Sequence, residues 1–496
     1  MRRSRSRLDL RAIVDLRPVA MVVGIVLLVL ALAMLPSMLA DLIAGHADWQ
    51  VFLLSASCTA FIGVSLILMT TGVSRTPELT VRQGFLLTTL TWVTTTAFAA
   101  LPFAFSDLGL GAAGAFFEAM SGITTTGSTV IVGLEAAPPG ILLWRAMLQW
   151  LGGIGIIVMG IAILPMLSIG GMQLFRTEST DSSEKILPRA AQIATNIALI
   201  YLLLSLLCAS IYWLFGMSWF DAAAHAMTTI ATGGYSTYDA SIGHFASPAI
   251  EWTAITFMIV GGIPFVLYVQ ILRGQKLQLF HDVQVRWFLG ILAGGTALLA
   301  FWLVQRGLMF GHDGLRHAAF ATVSVVTGTG YAASDFNAWG TFPVGVIFFL
   351  MCIGGCSGST TGGMKVFRFA VLYQIARVQV LRLLQPSGVF RPIYNGQPVA
   401  DQTAISILGF VFVFALSFAV LSILLSFLGL DYLTAMSGAL SALANVGPGL
   451  GDLIGPAKNF AALPDTAKWL LSAGMLLGRL ELFTVLVLFA PAFWRA

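Results

Sequence analysis

The chain has 496 residues, of which 58% are hydrophobic and only 10% charged, whereas a soluble domain is nearer a quarter charged. Such a chain cannot cover itself with water-compatible surface, which excludes disorder, a coiled coil, a collagen and a secreted disulfide scaffold. Its net charge of +4 is distributed by connection, and argues for membrane topology before nucleic acid.

Runs long enough to cross a bilayer, about 20 apolar residues each, lie near 17–40, 50–72, 83–105, 140–168, 190–216, 248–272, 284–308, 343–384 (interrupted), 402–428 and 467–492. They make ten spans. The first follows an Arg-rich stretch, but it is too long for a signal peptide and no small-residue cleavage pattern ends it. Orientation follows from the Lys/Arg bias. Arg2, Arg3, Arg5, Arg7, Arg11 and Arg17 precede the first span, and alternate connections are also basic. These carry Arg75 and Arg82, then Arg176, Lys185 and Arg189, then Arg273, Lys276 and Arg286, and finally Lys365, Arg368, Arg377, Arg382 and Arg391. The other side is acidic, from Asp41 and Asp48 through Glu118 and Asp221 to Asp452 and Asp465. An even number of spans then puts both termini in the cytoplasm. Cys58, Cys208, Cys352 and Cys356 all lie in apolar runs and read as small core residues.

After the first pair of spans, each outward connection contains a short apolar helical segment followed by a Gly/Thr stretch. These are FFEAMSGITTTGST (116–129), FDAAAHAMTTIATGGYST (220–237), HAAFATVSVVTGTGY (317–331) and DYLTAMSGALSALANVGPG (431–449). The pivotal glycines read as Gly127, Gly233, Gly328 and Gly447, with Gly234 an open alternative in the second loop. Their spacings of 106, 95 and 119 residues describe an internal repeat of span, re-entrant helix and span.

Non-helical backbone at membrane depth is tolerated only where protein or a water-filled cavity shields it. Glycine permits dihedrals that turn successive carbonyls one way, and a dehydrated K⁺ ion needs a cage of such oxygens. Four loops around one axis would build that cage from Thr125, Thr126 and Gly127; Ala231, Thr232 and Gly233; Val326, Thr327 and Gly328; and Asn445, Val446 and Gly447. Each short helix would aim its partly negative C-terminal end at the cation. Helix packing through Gly and Thr explains one such loop, but not four in equivalent positions on one side. The expected fold is therefore an all-α integral membrane protein. It has an N-terminal two-helix hairpin (1–75) and four pore units at 76–175, 176–280, 281–385 and 386–496 around one central pore.

With these four segments, QWLGGIGIIVMGIAILP (149–165), GGCSGSTTGGMKVFR (354–368), ANVGPGLG (444–451) and GRLELFTVLVLF (478–489), the chain resembles the Trk/Ktr/HKT superfamily of cation-translocating proteins. The likeness is strongest to its bacterial TrkH/TrkG potassium-uptake branch, including the extra first hairpin. It covers essentially the whole chain and implies K⁺ uptake across the bacterial inner membrane.

The eighth span breaks at IGGCSGSTTGGMK (353–365). Gly354, Gly355, Gly358, Gly362 and Gly363 together cost a helix several kcal/mol, at about 1 kcal/mol each relative to Ala. Close packing is one reading and a phosphate loop another, but the Walker spacing is missing. The favoured reading is an intramembrane loop whose Ser357, Ser359, Thr360 and Thr361 hydroxyls replace backbone hydrogen bonds. In resembling proteins this loop is the gate, and the resemblance places Arg479 in the pore below the filter as a barrier to the cation. Intramembrane charge is costly and usually functional. A pairing of Arg479 with Glu481 is disfavoured, because residues two apart point to different helix faces. Lys365 reads equally as part of the barrier or as snorkelling to the cytoplasm. Glu118 reads equally as a cation attractor at the mouth or as a brace for the filter backbone. The histidines at 46, 225, 244, 281, 312 and 317 show no metal-ligand spacing.

The second functional reading is a secondary transporter coupling K⁺ to Na⁺ or H⁺, whose mark is paired interrupted spans in two halves. Only one span reads as clearly broken. An intramembrane enzyme is the third, without an HExxH, GxSxG or Walker sequence to support it. No nucleotide fingerprint occurs, so the chain itself is expected to bind no cofactor, with K⁺ as the transported ion. The resemblance implies a homodimer and a cytoplasmic TrkA-like nucleotide-binding subunit (ATP or NAD). The basic stretch 365–391 offers that subunit, or anionic lipid, a docking face.

Overall fold

The computed structural model describes residues 15–70, 80–162, 186–274 and 277–495. Arg2, Arg3, Arg5, Arg7, Arg11, Arg75, Arg176, Lys185, Lys276 and the unit boundaries at 75/76 and 175/176 lie outside the described residues.

The described residues are mostly helical. The first helices are α1 (Arg17–Ala44), α2 (Trp49–Met69), α3 (Val81–Ala99), α4 (Ala112–Ile123) and α5 (Pro139–Ala162). Then come α6 (Ile186–Leu214), α7 (Trp219–Ile230), α8 (Pro248–Gly262), α9 (Phe265–Leu272), α10 (Val283–Gln305) and α11 (Gly311–Val326). Further along are α12 (Thr341–Met351), α13 (Val366–Leu384), α14 (Asp401–Phe427), α15 (Tyr432–Ala444), α16 (Asp465–Arg479) and α17 (Phe483–Leu486), with shorter helical turns between some of these elements. A small antiparallel hairpin pairs Ile393 with Pro398 and Tyr394 with Gln397. Side-chain caps start several helices, as Thr80 and Gln83 do reciprocally for α3 and Asp431 does for α15.

Seven helices among the described residues are long and apolar enough to cross a membrane, or nine if each of two bent pairs is one span. The run at 343–384 contributes only the short apolar α12, followed by the interrupted loop and α13. The ten continuous runs of the sequence are therefore not ten straight helices. The run at 248–272 bends by 90° between α8 and α9, and that at 467–492 by 105° between α16 and α17. Pro264 explains the first break, since it has no N–H to continue the ladder. The second occurs at Glu481 and Leu482, which both have positive φ (61° and 44°).

Close backbone approach sets the N-terminal hairpin. Gly24 and Gly63 face each other so closely that a methyl on Gly24 would lie 2.8 Å from the Gly63 carbonyl oxygen, a small-residue contact that lets membrane helices touch. The short helices α4, α7, α11 and α15 form the buried centre, while Leu32, Phe61, Phe412 and Phe427 point outward from the long ones. Cys208 and Cys356 are buried as expected, but Cys58 is exposed and Cys352 half-buried. Cys58 lies on the outer face of α2, where an apolar residue meets lipid rather than core.

Candidate functional site

The four short helices end alike. The chain leaves each in a left-handed residue: Thr125 (φ 52°), Thr232 (49°), Gly328 (70°) and Asn445 (53°). The N–H of that residue donates to the carbonyl three residues back, at Gly122, Thr229, Val325 and Ala442. The next N–H donates to Ser121, Thr228, Ser324 and Ser441 in turn, so the free carbonyls of each helix end are satisfied internally. A second left-handed residue follows two positions on, and it is glycine each time: Gly127 (91°), Gly234 (78°), Gly330 (75°) and Gly447 (106°).

These glycines approach one another in a closed order. A methyl on Gly127 would run into the Gly233 carbonyl oxygen, and one on Gly234 into that of Thr329. On Gly330 it would meet the Val446 oxygen, and on Gly447 the Thr126 oxygen at 2.9 Å. Each loop thus packs its glycine on the carbonyl that precedes the glycine of the next, and the fourth returns to the first. Only a residue without Cβ fits there.

This register differs from the one read in the sequence. By backbone, the counterparts of Thr125, Thr126 and Gly127 are Thr232, Gly233 and Gly234, then Gly328, Thr329 and Gly330, then Asn445, Val446 and Gly447. The second loop is displaced by one residue from the expected set 231–233, and the third by two from 326–328. Ala231 and Thr327 are helix C-caps and Val326 is the last helical residue of α11. Gly234 is the alternative that the sequence left open, whereas Thr329 and Gly330 are not among the residues read from it. The available cue was Gly-Tyr, at Gly234-Tyr235 and Gly330-Tyr331, since both tyrosines are buried and hold the loops from behind.

The loops are braced by different side chains. Glu118, fully buried, accepts from the Val130 N–H (2.9 Å), the Thr129 hydroxyl (3.0 Å) and Arg145 Nε (2.8 Å). It is a brace for the backbone rather than an open attractor. Arg145 also donates from Nη1 to the Ser236 carbonyl (2.7 Å) and lies 4.0 Å over the Tyr235 ring, tying the first loop to the second. Gln149 donates to the Gly233 carbonyl (2.6 Å) and accepts from the Tyr235 N–H (3.0 Å). His225 sits between the Asp221 carbonyl (2.8 Å) and the Ser236 hydroxyl (2.9 Å). In the fourth loop Asn445 donates to the Thr126 hydroxyl (2.9 Å) and to the Met475 carbonyl (3.0 Å). Among the described residues no group of three or more His, Cys, Asp or Glu is arranged to hold a metal ion.

The interrupted loop lies against the inner ends of these loops. Thr360 Oγ1 meets Thr232 Oγ1 at 3.0 Å and donates to the Ile230 and Gly261 carbonyls, each at 3.1 Å. Cys356 N–H donates to the Gly262 carbonyl and Phe265 N–H to the Gly358 carbonyl, both at 3.0 Å. The break in 248–272 is thus filled by the break in 343–384. Each supplies the partners that the other's ladder lost. Within the loop, Gly354 and Gly363 have positive φ (76° each) and their backbones touch. Ser359 Oγ donates to the Cys356 carbonyl (2.6 Å), and Thr361 Oγ1 accepts from the Gly355 N–H (3.1 Å). Gly362 packs on the Ala444 carbonyl and Asn445, directly below the fourth loop.

Two cations complete the site. Arg479 is 3% exposed and donates from Nη1 to the Thr360 carbonyl at 3.0 Å. Lys365 is buried and donates to the Thr361 carbonyl, so it turns into the loop instead of outward. Glu481 pairs with Arg368 and not with Arg479. A cavity of about 130 Å³ reaches Gly127, Gly234 and Gly330, and a separate one of about 30 Å³ is lined by Ser357, Thr361, Lys365 and Arg479.

Residues 50–496 match the family model described as "TrkH: Cation transport protein". The chain is 48% identical over 480 residues to the Trk system potassium uptake protein TrkI of Halomonas elongata, covering 96% of this chain and 97% of that one. It is 40% identical to the Trk system potassium uptake protein TrkH of Escherichia coli, over 84% of this chain and 87% of that protein. The crystal structure of the potassium transporter TrkH from Vibrio parahaemolyticus superimposes with a TM-score of 0.89 at 36% identity, covering 97% of this chain and 100% of that one.

Proposed function

The chain belongs to the TrkH family of cation transport proteins and is a multi-pass membrane protein, and from that premise we propose that it takes up K⁺ through the ring of four loops. The observation that carries this reading is the closed order of glycine on carbonyl. That order sets the carbonyls of Thr126, Gly233, Thr329 and Val446 in one closed circuit. Backbone oxygens replace the hydration shell of an alkali cation without the charge that would trap it. The braces from Glu118, Arg145, Gln149 and Asn445 hold those oxygens apart when no ion is there.

We read residues 76–175, 176–280, 281–385 and 386–496 as four span–pore helix–span units, with 1–75 as the added hairpin, ten spans in all. The loop at 353–365 is the gate, since Thr360 sits under Thr232 and closes the path on its inner side. Arg479, anchored on the same Thr360, adds a fixed positive charge below the filter, and Lys365 stiffens the loop. Opening moves Thr360, Arg479 and the loop together. Three broken spans meeting at one loop support this gated pathway over an alternating-access transporter, which calls for paired breaks in two halves. On the family's pattern the chain works in the bacterial inner membrane with cytoplasmic termini. It acts as a homodimer under a nucleotide-binding regulatory subunit that docks on 365–391.

Cation flux in vesicles containing the purified chain tests the proposal. K⁺ and Rb⁺ are expected to move down their gradients faster than Na⁺ and Li⁺, with a further rise when the regulatory subunit is added. Vesicles no leakier to K⁺ than protein-free controls, with and without that subunit, would refute it.

A further inference from the structure

Charge does not balance around the small cavity beneath the ring. Lys365, Arg368 and Arg479 are 8%, 0% and 3% exposed, and the carboxylate beside them is Glu481, whose Oε2 is engaged by Arg368. Among the described residues, three buried cations therefore face one buried anion that is already paired. Arg479 satisfies one nitrogen on the Thr360 carbonyl, while its Nε and Nη2 are buried without a hydrogen-bond partner. Buried charge is kept only where it is paired and its hydrogen-bonding groups are met.

The cavity next to those nitrogens is small. Its volume is about 30 Å³, where one water needs roughly 10–15 Å³. That is room for one monatomic anion or about two waters, with little space for the four oxygens of phosphate or sulfate. Its wall carries the Arg479 guanidinium, the Lys365 ammonium and the Ser357 and Ser359 side chains, with the Glu481 carboxylate at its edge. Glu481 opposes a second negative charge, so the site suits one monovalent ion.

We propose that this cavity is a halide site, holding one chloride between Arg479 and Lys365 when the loop is closed. On the transport reading above, which this inference deepens, the chloride bridges the like charges of Arg479 and Lys365 and so lets both stay beside the closed loop. Opening that carries the loop and Arg479 away from this cavity would then release the ion. The resting state would be stabilised by an anion and not by protein contacts alone.

Bromide in place of chloride tests the site in the full-length protein. Crystals grown in bromide are expected to show an anomalous peak within hydrogen-bonding distance of Arg479 Nη2, lost in Arg479→Gln and weakened in Lys365→Met. Water-like density with no anomalous signal there in saturating bromide would overturn the proposal. Chloride NMR line broadening in detergent gives a second reading: the excess caused by the protein should fall in both variants, and equal broadening by all three proteins also overturns it. K⁺ flux measured on the same preparations separates the two readings. Flux without a bromide peak removes the halide site alone, and a bromide peak without flux removes the transport reading alone.

Discussion

Arg368 and Glu481 form a buried ion pair across 113 residues of sequence, joining the first turn of α13 to the break between α16 and α17. Glu481 has a left-handed backbone (φ 61°), so the pair holds a conformation that a non-glycine residue resists. Arg368 also lies 3.7 Å over the Phe410 ring, which fixes its position from the other side. Breaking a buried pair by removing one partner costs about 3–5 kcal/mol. Glu481→Gln should therefore lower the thermal unfolding temperature in detergent, and Arg368→Met combined with Glu481→Gln should recover part of the loss. Equal unfolding temperatures for wild type and Glu481→Gln would contradict the pairing.

The ring predicts unequal tolerance at neighbouring glycines. Gly328 corresponds in backbone to Thr125, Thr232 and Asn445, all of which carry side chains, but a Cβ there lies 3.0 Å from the Asn445 carbonyl oxygen, so Gly328→Asn should lower K⁺ flux without abolishing it. Gly330→Ala should abolish it, because the new methyl meets the Val446 carbonyl and no backbone movement relieves that without opening the ring. Flux measured on both variants in vesicles checks this, and the reverse order would restore the register that places Gly328 at the pivot.

Selectivity should depend on the first loop. A Cβ at Gly127 would meet the Gly233 carbonyl oxygen and displace it. Gly127→Ser is therefore expected to cut K⁺ flux sharply and to lower the K⁺/Na⁺ preference of whatever flux remains. Competition between Na⁺ and Rb⁺ for uptake gives the ratio, and an unchanged ratio would count against the filter assignment.

Removing residues within 355–362 should take away the contact between Thr360 and Thr232 and raise basal flux without the regulatory subunit. Ion preference should change little, since the ring lies above. A monodisperse deletion variant with wild-type basal flux would end the gate reading.

Arg479 is a permanent charge at physiological pH. Two unit charges 4 Å apart interact by about 4 kcal/mol at an effective dielectric of 20, and each 1.4 kcal/mol is worth roughly tenfold in rate. Arg479→Ala should thus raise unstimulated K⁺ flux by about tenfold or more, with K⁺/Na⁺ preference retained. Arg479→Lys should keep most of the restriction, since charge and not fork geometry sets the barrier. Flux unchanged or lower in a monodisperse Arg479→Ala protein would remove the valve.

Local composition was enough to determine the membrane character, the short apolar helices and the Gly/Thr stretches after them. Twenty apolar residues have one low-energy environment, and a glycine cluster such as 354–363 cannot hold a helix whatever surrounds it. The tertiary structure decided what depends on residues distant in sequence. Which glycine of TGG or TGTG turns toward its neighbour depends on the neighbouring loop's carbonyl, and that shifted the second and third loops by one and two residues. The break at Leu480-Glu481-Leu482 contains neither Gly nor Pro; it exists because Arg368 draws Glu481 out of the helix. Nothing local marks Arg145, which folding sets on Glu118, 27 residues away. A buried charge takes its meaning from its partner, and in this chain folding chose the partners.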